Sequence, residues 1–191
     1  MSLYYLRHGL TDWNAKNVMQ GRIDIPLNEE GKEEARKAKA EVDAIPLSLA
    51  VVSPLMRTRQ TAAILLEGRD VEIVYDERIL EQYFGDFEGL SRDEAVYAEQ
   101  KKKHFCRYPG GEGYLDCAYR VYSLLHELED TMGDQNVLLI AHGGISRIVH
   151  SYFFDMGNEE FEKHFIPNCG LVRYEWPRRK FPASQTPSKG E

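Results

Sequence analysis

The chain has 191 residues, 42 % of them hydrophobic and 29 % charged, with a formal net charge of −7 at pH 7. That length accommodates one domain around a single core, without disulfides or structural metals. The acidic balance argues against nucleic-acid binding, no apolar run reaches bilayer length and the first residues lack a secretory pattern, so the expectation is a soluble cytoplasmic protein with neither nucleic-acid nor membrane partners.

Strand and helix signals alternate along the sequence. Residues 3–6 are an apolar, aromatic run that leads into Arg7-His8-Gly9 and predicts a strand. A polar loop continues through Pro26. Asn28, followed by Glu29 and Glu30, reads as a helix cap, and Ala35, Ala38, Val42 and Ile45 share one face of the helix it starts. A second strand, 49–52, ends at Ser53-Pro54. Ser53 as N-cap and Pro54 as first helical residue predict a helix to about Leu66, stopped by Gly68.

Residues 72–75 make a short strand, 80–89 a loop containing glycines and aromatics, 93–103 a helix and 108–113 a turn. Ala118, Val121, Tyr122, Leu125 and Leu128 give a helical stripe. The strand 137–141 runs into His142-Gly143-Gly144, and Ile145, Ile148, Val149, Tyr152 and Phe153 give another helical stripe. Residues 170–176 read as a last strand, and 177–191, rich in proline, serine and charge, are expected to be disordered. The alternation predicts an α/β three-layer sandwich: a mainly parallel sheet flanked by helices, with 1–176 as one domain and 84–113 as a small lid-like insertion.

Cys106, Cys117 and Cys169 are odd in number and lack CxxC spacing, so they read as reduced structural thiols, and no metal site is expected. Lys101-Lys102-Lys103 reads as a solvated helix face. His104, His126, His150 and His164 read as structural or exposed.

In open α/β sheets ligands gather at the carboxyl ends of strands. Folding three strand ends side by side would bring His8, His142, Arg7 and Arg57 into one crevice, a set suited to holding a phosphoryl group and attacking it. A guanidinium fork meets two oxygens at once, and the first turn of a helix, where Arg57 falls, offers free N–H groups to an anion. One imidazole, with His8 as candidate, would be kept neutral by neighbouring cations and act as nucleophile; the other, His142, would be protonated and donate to the phosphoryl oxygens. The symmetry of the two His-Gly ends leaves open which imidazole attacks. The departing oxygen needs a proton, for which Glu81 competes with Asp86, Glu88 and Glu112. Asn14 and Gln20 read as loop residues bonding their own backbone. Tyr83, Phe87, Tyr97, Phe105 and Tyr108 could hold an organic leaving group, although core packing is the commoner use of aromatics.

These residues form an ordered series: Leu6-Arg7-His8-Gly9 with Thr11 and Asn14; Gln20-Gly21-Arg22 with Asp24, Pro26 and Leu27; Ser53-Pro54-Leu55 with Arg57, Thr58, Gln60 and Thr61. Leu80-Glu81, Phe84-Gly85, Glu88-Gly89, Pro109-Gly110-Gly111-Glu112 and Ala141-His142-Gly143-Gly144 follow. The series resembles the histidine phosphatase superfamily, also called phosphoglycerate mutase-like. The resemblance implies that His8 becomes a phosphohistidine and that Arg7, Arg57 and His142 form the phosphate pocket with Asn14. It further implies Glu81 as proton donor, Thr11, Gln20, Gly21 and Gly143 lining or supporting the mouth, and neither metal nor cofactor. Leu10 stands where many members have Glu, Gly113 where many have Ser, and Phe87 where Trp is frequent. The expected activity is that of a phosphomonoesterase acting on a small phosphate ester such as α-ribazole phosphate, phosphoserine or a sugar phosphate. A cofactor-dependent phosphoglycerate mutase is the alternative and a non-catalytic phospholigand-binding module the lesser one. Oligomerisation is allowed but not specified.

Overall fold

The computed structural model describes residues 2–176, so the tail expected to be disordered, 177–191, lies outside the described residues. Five strands, β1 (Ser2–Arg7), β2 (Leu47–Val52), β3 (Glu72–Tyr75), β4 (Asn136–Ala141) and β5 (Leu171–Glu175), form one sheet in the order β3-β2-β4-β1-β5. Neighbours pair in parallel except β5, which runs antiparallel to β1. The helices are α1 (Asp12–Ala15), α2 (Glu29–Asp43), α3 (Met56–Leu65), α4 (Ala95–Lys101), α5 (Tyr114–Thr131), α6 (Gly143–Phe153) and α7 (Asn158–Lys163).

Alternation along each strand assigns side chains to the two faces of the sheet. Leu3, Tyr5, Val137 and Leu139 pack against Val121, Leu125 and Leu128 of α5 and Ile145 and Val149 of α6. Leu6, Ala50, Val52, Leu138 and Ile140 pack on the opposite face against Val42 of α2 and Ala62 and Leu65 of α3. Each fully buried aliphatic side chain contributes about 1.5–3 kcal/mol. Because both faces are covered, β4 reads as an unbroken apolar run. The result is the expected three-layer α/β sandwich with a mostly parallel sheet.

The helices differ from expectation in three respects. The helix after Ser53-Pro54 starts at Met56, with Leu55 at the cap position and no side-chain cap. Ser53 is not available for capping there, because its Oγ lies 2.7 Å from Nε2 of His142. The helix expected over 93–103 is shorter, Ala95–Lys101. Helices α1 and α7, of 4 and 6 residues, are too short to show a hydrophobic period.

Within 84–113, Phe84, Phe87 and Tyr108 cluster with Met19, and Tyr97 packs on them. Phe87 and Tyr108 therefore fasten the segment, whereas Phe84 and Tyr97 also line the cleft at the strand ends; the segment is further tied by Met19 N–H to Leu90 O and Gly89 N–H to Met19 O, both 2.9 Å. The three cysteines are free thiols. Among the described residues no helix is long and apolar enough to cross a membrane.

Candidate active site

Strands β2, β4 and β1 are neighbours, so their carboxyl ends deliver Ser53, His142 and His8 side by side. A cleft opens above them. Of the residues expected at the site, Arg7, His8, Asn14, Gln20, Gly21, Arg57, Glu81 and Gly143 line it. Thr11 and His142 do not; both are fully buried. Thr11 instead caps α1, its Oγ1 accepting from Asn14 N–H at 3.2 Å.

The two imidazoles meet edge to face with centroids 5.2 Å apart. Nδ1 of His8 lies 2.7 Å from the carbonyl oxygen of Gly9. A carbonyl can only accept, so Nδ1 carries the proton and the Nε2 lone pair is left uncommitted. Gly9 is required by the turn that makes this bond: a Cβ there would lie 2.5 Å from Gly31 O of α2. Nδ1 of His142 accepts from Nε of Arg57 at 3.2 Å, so the proton of a neutral ring sits on Nε2 and donates to Ser53 Oγ at 2.7 Å. Tyr5 Oη donates to the carbonyl of His142 and fixes the residue from below.

Burial lowers the pKa of both rings well below the usual histidine value. The charges of Arg57 and then Arg7 add to this at His8, and those of Arg57 and then His8 at His142. The expectation of a neutral His8 is met. The expectation of a protonated His142 is not, because the Arg57 N–H occupies the nitrogen that would have to take up the second proton.

A measurable consequence concerns stability. Both folded-state pKa values lie below the unfolded value of about 6.5, so below that pH the unfolded chain binds more protons. The stabilisation is complete above about pH 6.5 and falls as pH drops, by ~1.4 kcal/mol per pH unit for each group while it titrates. His164, lowered to about 4 chiefly by burial, adds to the same trend. Chemical unfolding midpoints measured from pH 7.5 to 5 should therefore decline, and His8→Asn should flatten the decline.

Arg57 is 1 % exposed and fixed by its fork. Nη1 donates to Ile23 O at 3.0 Å and Nη2 to Gly21 O at 2.7 Å. Burial brings its pKa down to about 10, so it remains a cation at neutral pH. Gly21 holds φ +52°, and a Cβ there would overlap the Glu88 carboxylate. Arg7 donates from Nη1 to Ile166 O at 2.9 Å, while its buried Nε has no hydrogen-bond partner. Such a donor costs roughly 1–3 kcal/mol when unpaired, and an anionic oxygen is the acceptor it fits.

Of the four acids weighed from sequence, only Glu81 lines the cleft. Its Oε2 accepts from Gly144 N–H at 3.0 Å and its Oε1 from Gln82 N–H at 2.9 Å. A Cβ on residue 144 would come within 2.4 Å of Oε1, so glycine makes the room for this carboxylate. Glu88 instead accepts from the N–H groups of Arg22 and Phe84. Glu112 pairs with Arg120 and Arg22 at 3.0 and 2.8 Å; burial pushes its pKa up, but the Arg120 hydrogen bond and the other donors outweigh this and hold it below the ordinary value. Asp86 packs beside Gly110.

Four contributors escaped the sequence reading. Arg120 of α5 donates to the carbonyls of Arg78, Leu80 and Glu81 and so holds the loop that presents Glu81. Gly144 carries the role just described; its place in the Gly-Gly pair after His142 was the available signal. Arg92 and Arg147 line the cleft as well, and neither sits in a local pattern that marks it.

The sequence profile of the histidine phosphatase superfamily (branch 1) matches residues 3–186. The chain is 31 % identical over 185 residues to 2,3-bisphosphoglycerate-dependent phosphoglycerate mutase 2 of Gloeobacter violaceus, covering 91 % of this chain and 84 % of that one. It is 30 % identical over 178 residues to the uncharacterized phosphatase PhoE of Bacillus subtilis, covering 92 % and 89 %. Among solved structures, a mycobacterial glucosyl-3-phosphoglycerate phosphatase superposes with a TM-score of 0.80 at 27 % identity, over 90 % of this chain and 88 % of that one.

Proposed function

The chain belongs to branch 1 of the histidine phosphatase superfamily, and from that premise we propose that it is a phosphomonoesterase working through a phosphohistidine at His8. The observation that carries this reading is the hydrogen bond from His8 Nδ1 to Gly9 O, which leaves Nε2 unprotonated beside two arginines.

In the first step the Nε2 lone pair forms a bond to phosphorus as the ester P–O bond breaks. The departing alcohol oxygen takes its proton from Glu81. Arg7 and Arg57 balance the charge on the phosphoryl oxygens, where most of the rate enhancement of phosphoryl transfer arises. In the second step the Glu81 carboxylate removes a proton from water, whose oxygen attacks phosphorus. The N–P bond breaks, inorganic phosphate leaves, and His8 and Glu81 return to their starting states. The arginines fill the charge-neutralising role, so the reaction is written without a metal. The substrate class is a small phosphate ester.

The likeness to a phosphoglycerate mutase favours one second reading, in which the phosphoryl group is returned to another hydroxyl instead of to water. Incubation with 3-phosphoglycerate separates the two: release of inorganic phosphate is expected, and formation of 2-phosphoglycerate without phosphate release would establish the mutase. Rapid quenching with labelled substrate should trap an acid-labile, base-stable phosphoprotein in either case; its absence would leave a ligand-binding module.

A further inference from the structure

Pro109-Gly110-Gly111-Glu112 contributes nothing to the lining of the cleft, yet it docks along the loop that presents Glu81. Glu112 N–H donates to Tyr83 O at 2.8 Å, Asp86 N–H to Pro109 O at 3.0 Å and Gln82 Nε2 to Glu112 O at 3.1 Å. A Cβ on residue 111 would collide with Tyr83 O, so glycine is what lets the two backbones lie this close. The Glu112 side chain completes the junction, its Oε2 accepting from Tyr83 N–H at 3.0 Å.

The same carboxylate meets Arg120 of α5. Nε donates to Oε1 at 3.1 Å and Nη2 to Oε2 at 3.0 Å, a bidentate pair whose side chains are 18 % (Glu112) and 14 % (Arg120) exposed. The other N–H groups of Arg120 go to the carbonyls of Arg78 and Leu80, each at 2.7 Å, and of Glu81, at 3.3 Å. Every N–H of the guanidinium is thereby used. Residues 78–83 are thus held on both sides of Glu81, whose own carboxylate takes the N–H groups of Gln82 and Gly144. Arg22 Nη2 also reaches Glu112 Oε1, at 2.8 Å, which joins the junction to the loop whose Gly21 and Ile23 carbonyls fix Arg57. One carboxylate outside the cleft therefore connects the bed of Glu81 with the bed of Arg57.

We propose that Glu112 and Arg120 are positioning residues for proton transfer: the pair sets where the Glu81 carboxyl stands relative to the ester oxygen above His8, and neither member lines the cleft. The assignment rests on the phosphomonoesterase reading for its kinetic consequence, because that reading makes Glu81 the proton donor. A misplacement of about 1 Å at a reacting group can cost on the order of 10²-fold in rate. The loss falls on the step that needs the displaced group. Breaking the pair therefore slows esters whose departing oxygen needs a proton and spares those whose departing oxygen does not.

The test is the rate at which His8 is phosphorylated, followed by rapid quenching, with glycerol 2-phosphate against p-nitrophenyl phosphate. Glu112→Gln removes the charge and one acceptor; Arg120→Lys keeps the charge but offers fewer donors and no fork. Each should slow phosphorylation by glycerol 2-phosphate about 10- to 100-fold and change that by p-nitrophenyl phosphate less than about threefold. Equal losses on both esters, as a merely structural pair would give, or no loss on either, would overturn the assignment. Where the melting temperature shows that one variant has lost its fold, the other carries the comparison. Hydrogen exchange at Gln82 and Gly144, the N–H donors to Glu81, reads the same placement without turnover. In Glu112→Gln both should exchange about tenfold faster, with Leu138 and Leu139 of β4 unchanged. A wild-type protein that forms no phosphohistidine with either ester would sink the phosphomonoesterase reading; faster exchange confined to Gln82 and Gly144 would then keep the pair as the holder of Glu81, and unchanged exchange would remove it.

Discussion

His8→Ala is expected to abolish turnover of phosphate monoesters, a loss on the order of 10⁴-fold or more, together with the trapped phosphoprotein. The size follows from what remains. His142 is the only other imidazole in contact, and both of its ring nitrogens are occupied, one by Arg57 and the other by Ser53. It cannot turn a free lone pair toward phosphorus without breaking a buried bond to a guanidinium that is itself fixed to Gly21 and Ile23. Water would then have to attack directly, without the division into two easier steps. The fold should survive, because His8 makes its ring hydrogen bond to the adjacent Gly9 and does not bridge elements. Retained turnover, with an unchanged melting temperature, would remove His8 from the chemistry and reopen the choice between the two rings.

Glu81→Gln should slow alkyl phosphates by about 10²- to 10⁴-fold, the range for loss of a general acid. The informative readout is dependence on the leaving group. With p-nitrophenyl phosphate the departing oxygen needs no proton, so phosphorylation of His8 should stay fast. Hydrolysis of the phosphohistidine still needs a base for water. The variant should therefore release a burst of one p-nitrophenolate per site and then turn over slowly. An equal loss on good and poor leaving groups, with no burst, would show that Glu81 acts on the arrangement of the cleft and not on protons. Glutamine keeps an oxygen acceptor for only one of the Gly144 and Gln82 N–H groups, while Arg120 still holds the loop through the carbonyls of Leu80 and Glu81, so the loop is expected to stay in place.

Much of the fold was legible because its signals are local. The apolar run of β4, the stripe of Val121, Leu125 and Leu128, and the Asn28 cap of α2, which accepts from Gly31 N–H at 2.8 Å, each rest on a few adjacent residues. The cap at Ser53 misled, because the same hydroxyl had a better partner on a distant strand. The aromatics of residues 84–113 were ambiguous for a related reason: a phenyl ring packs or binds according to what faces it, and Met19, far back in the chain, faces Phe84, Phe87 and Tyr108.

By itself the sequence determined the layer architecture and the inventory of candidate site residues, since periodicity and side-chain chemistry are properties of short stretches. Tertiary structure alone decided how those groups are poised. Arg57 meets His142 across 85 residues, Ser53 meets it across 89, and Gly144 meets Glu81 across 63. Proton positions and the bed of the acid depend on which atom lies within about 3 Å of which, the reach of a hydrogen bond. That distance is set by the packing of the sheet and its helices, and no local pattern records it.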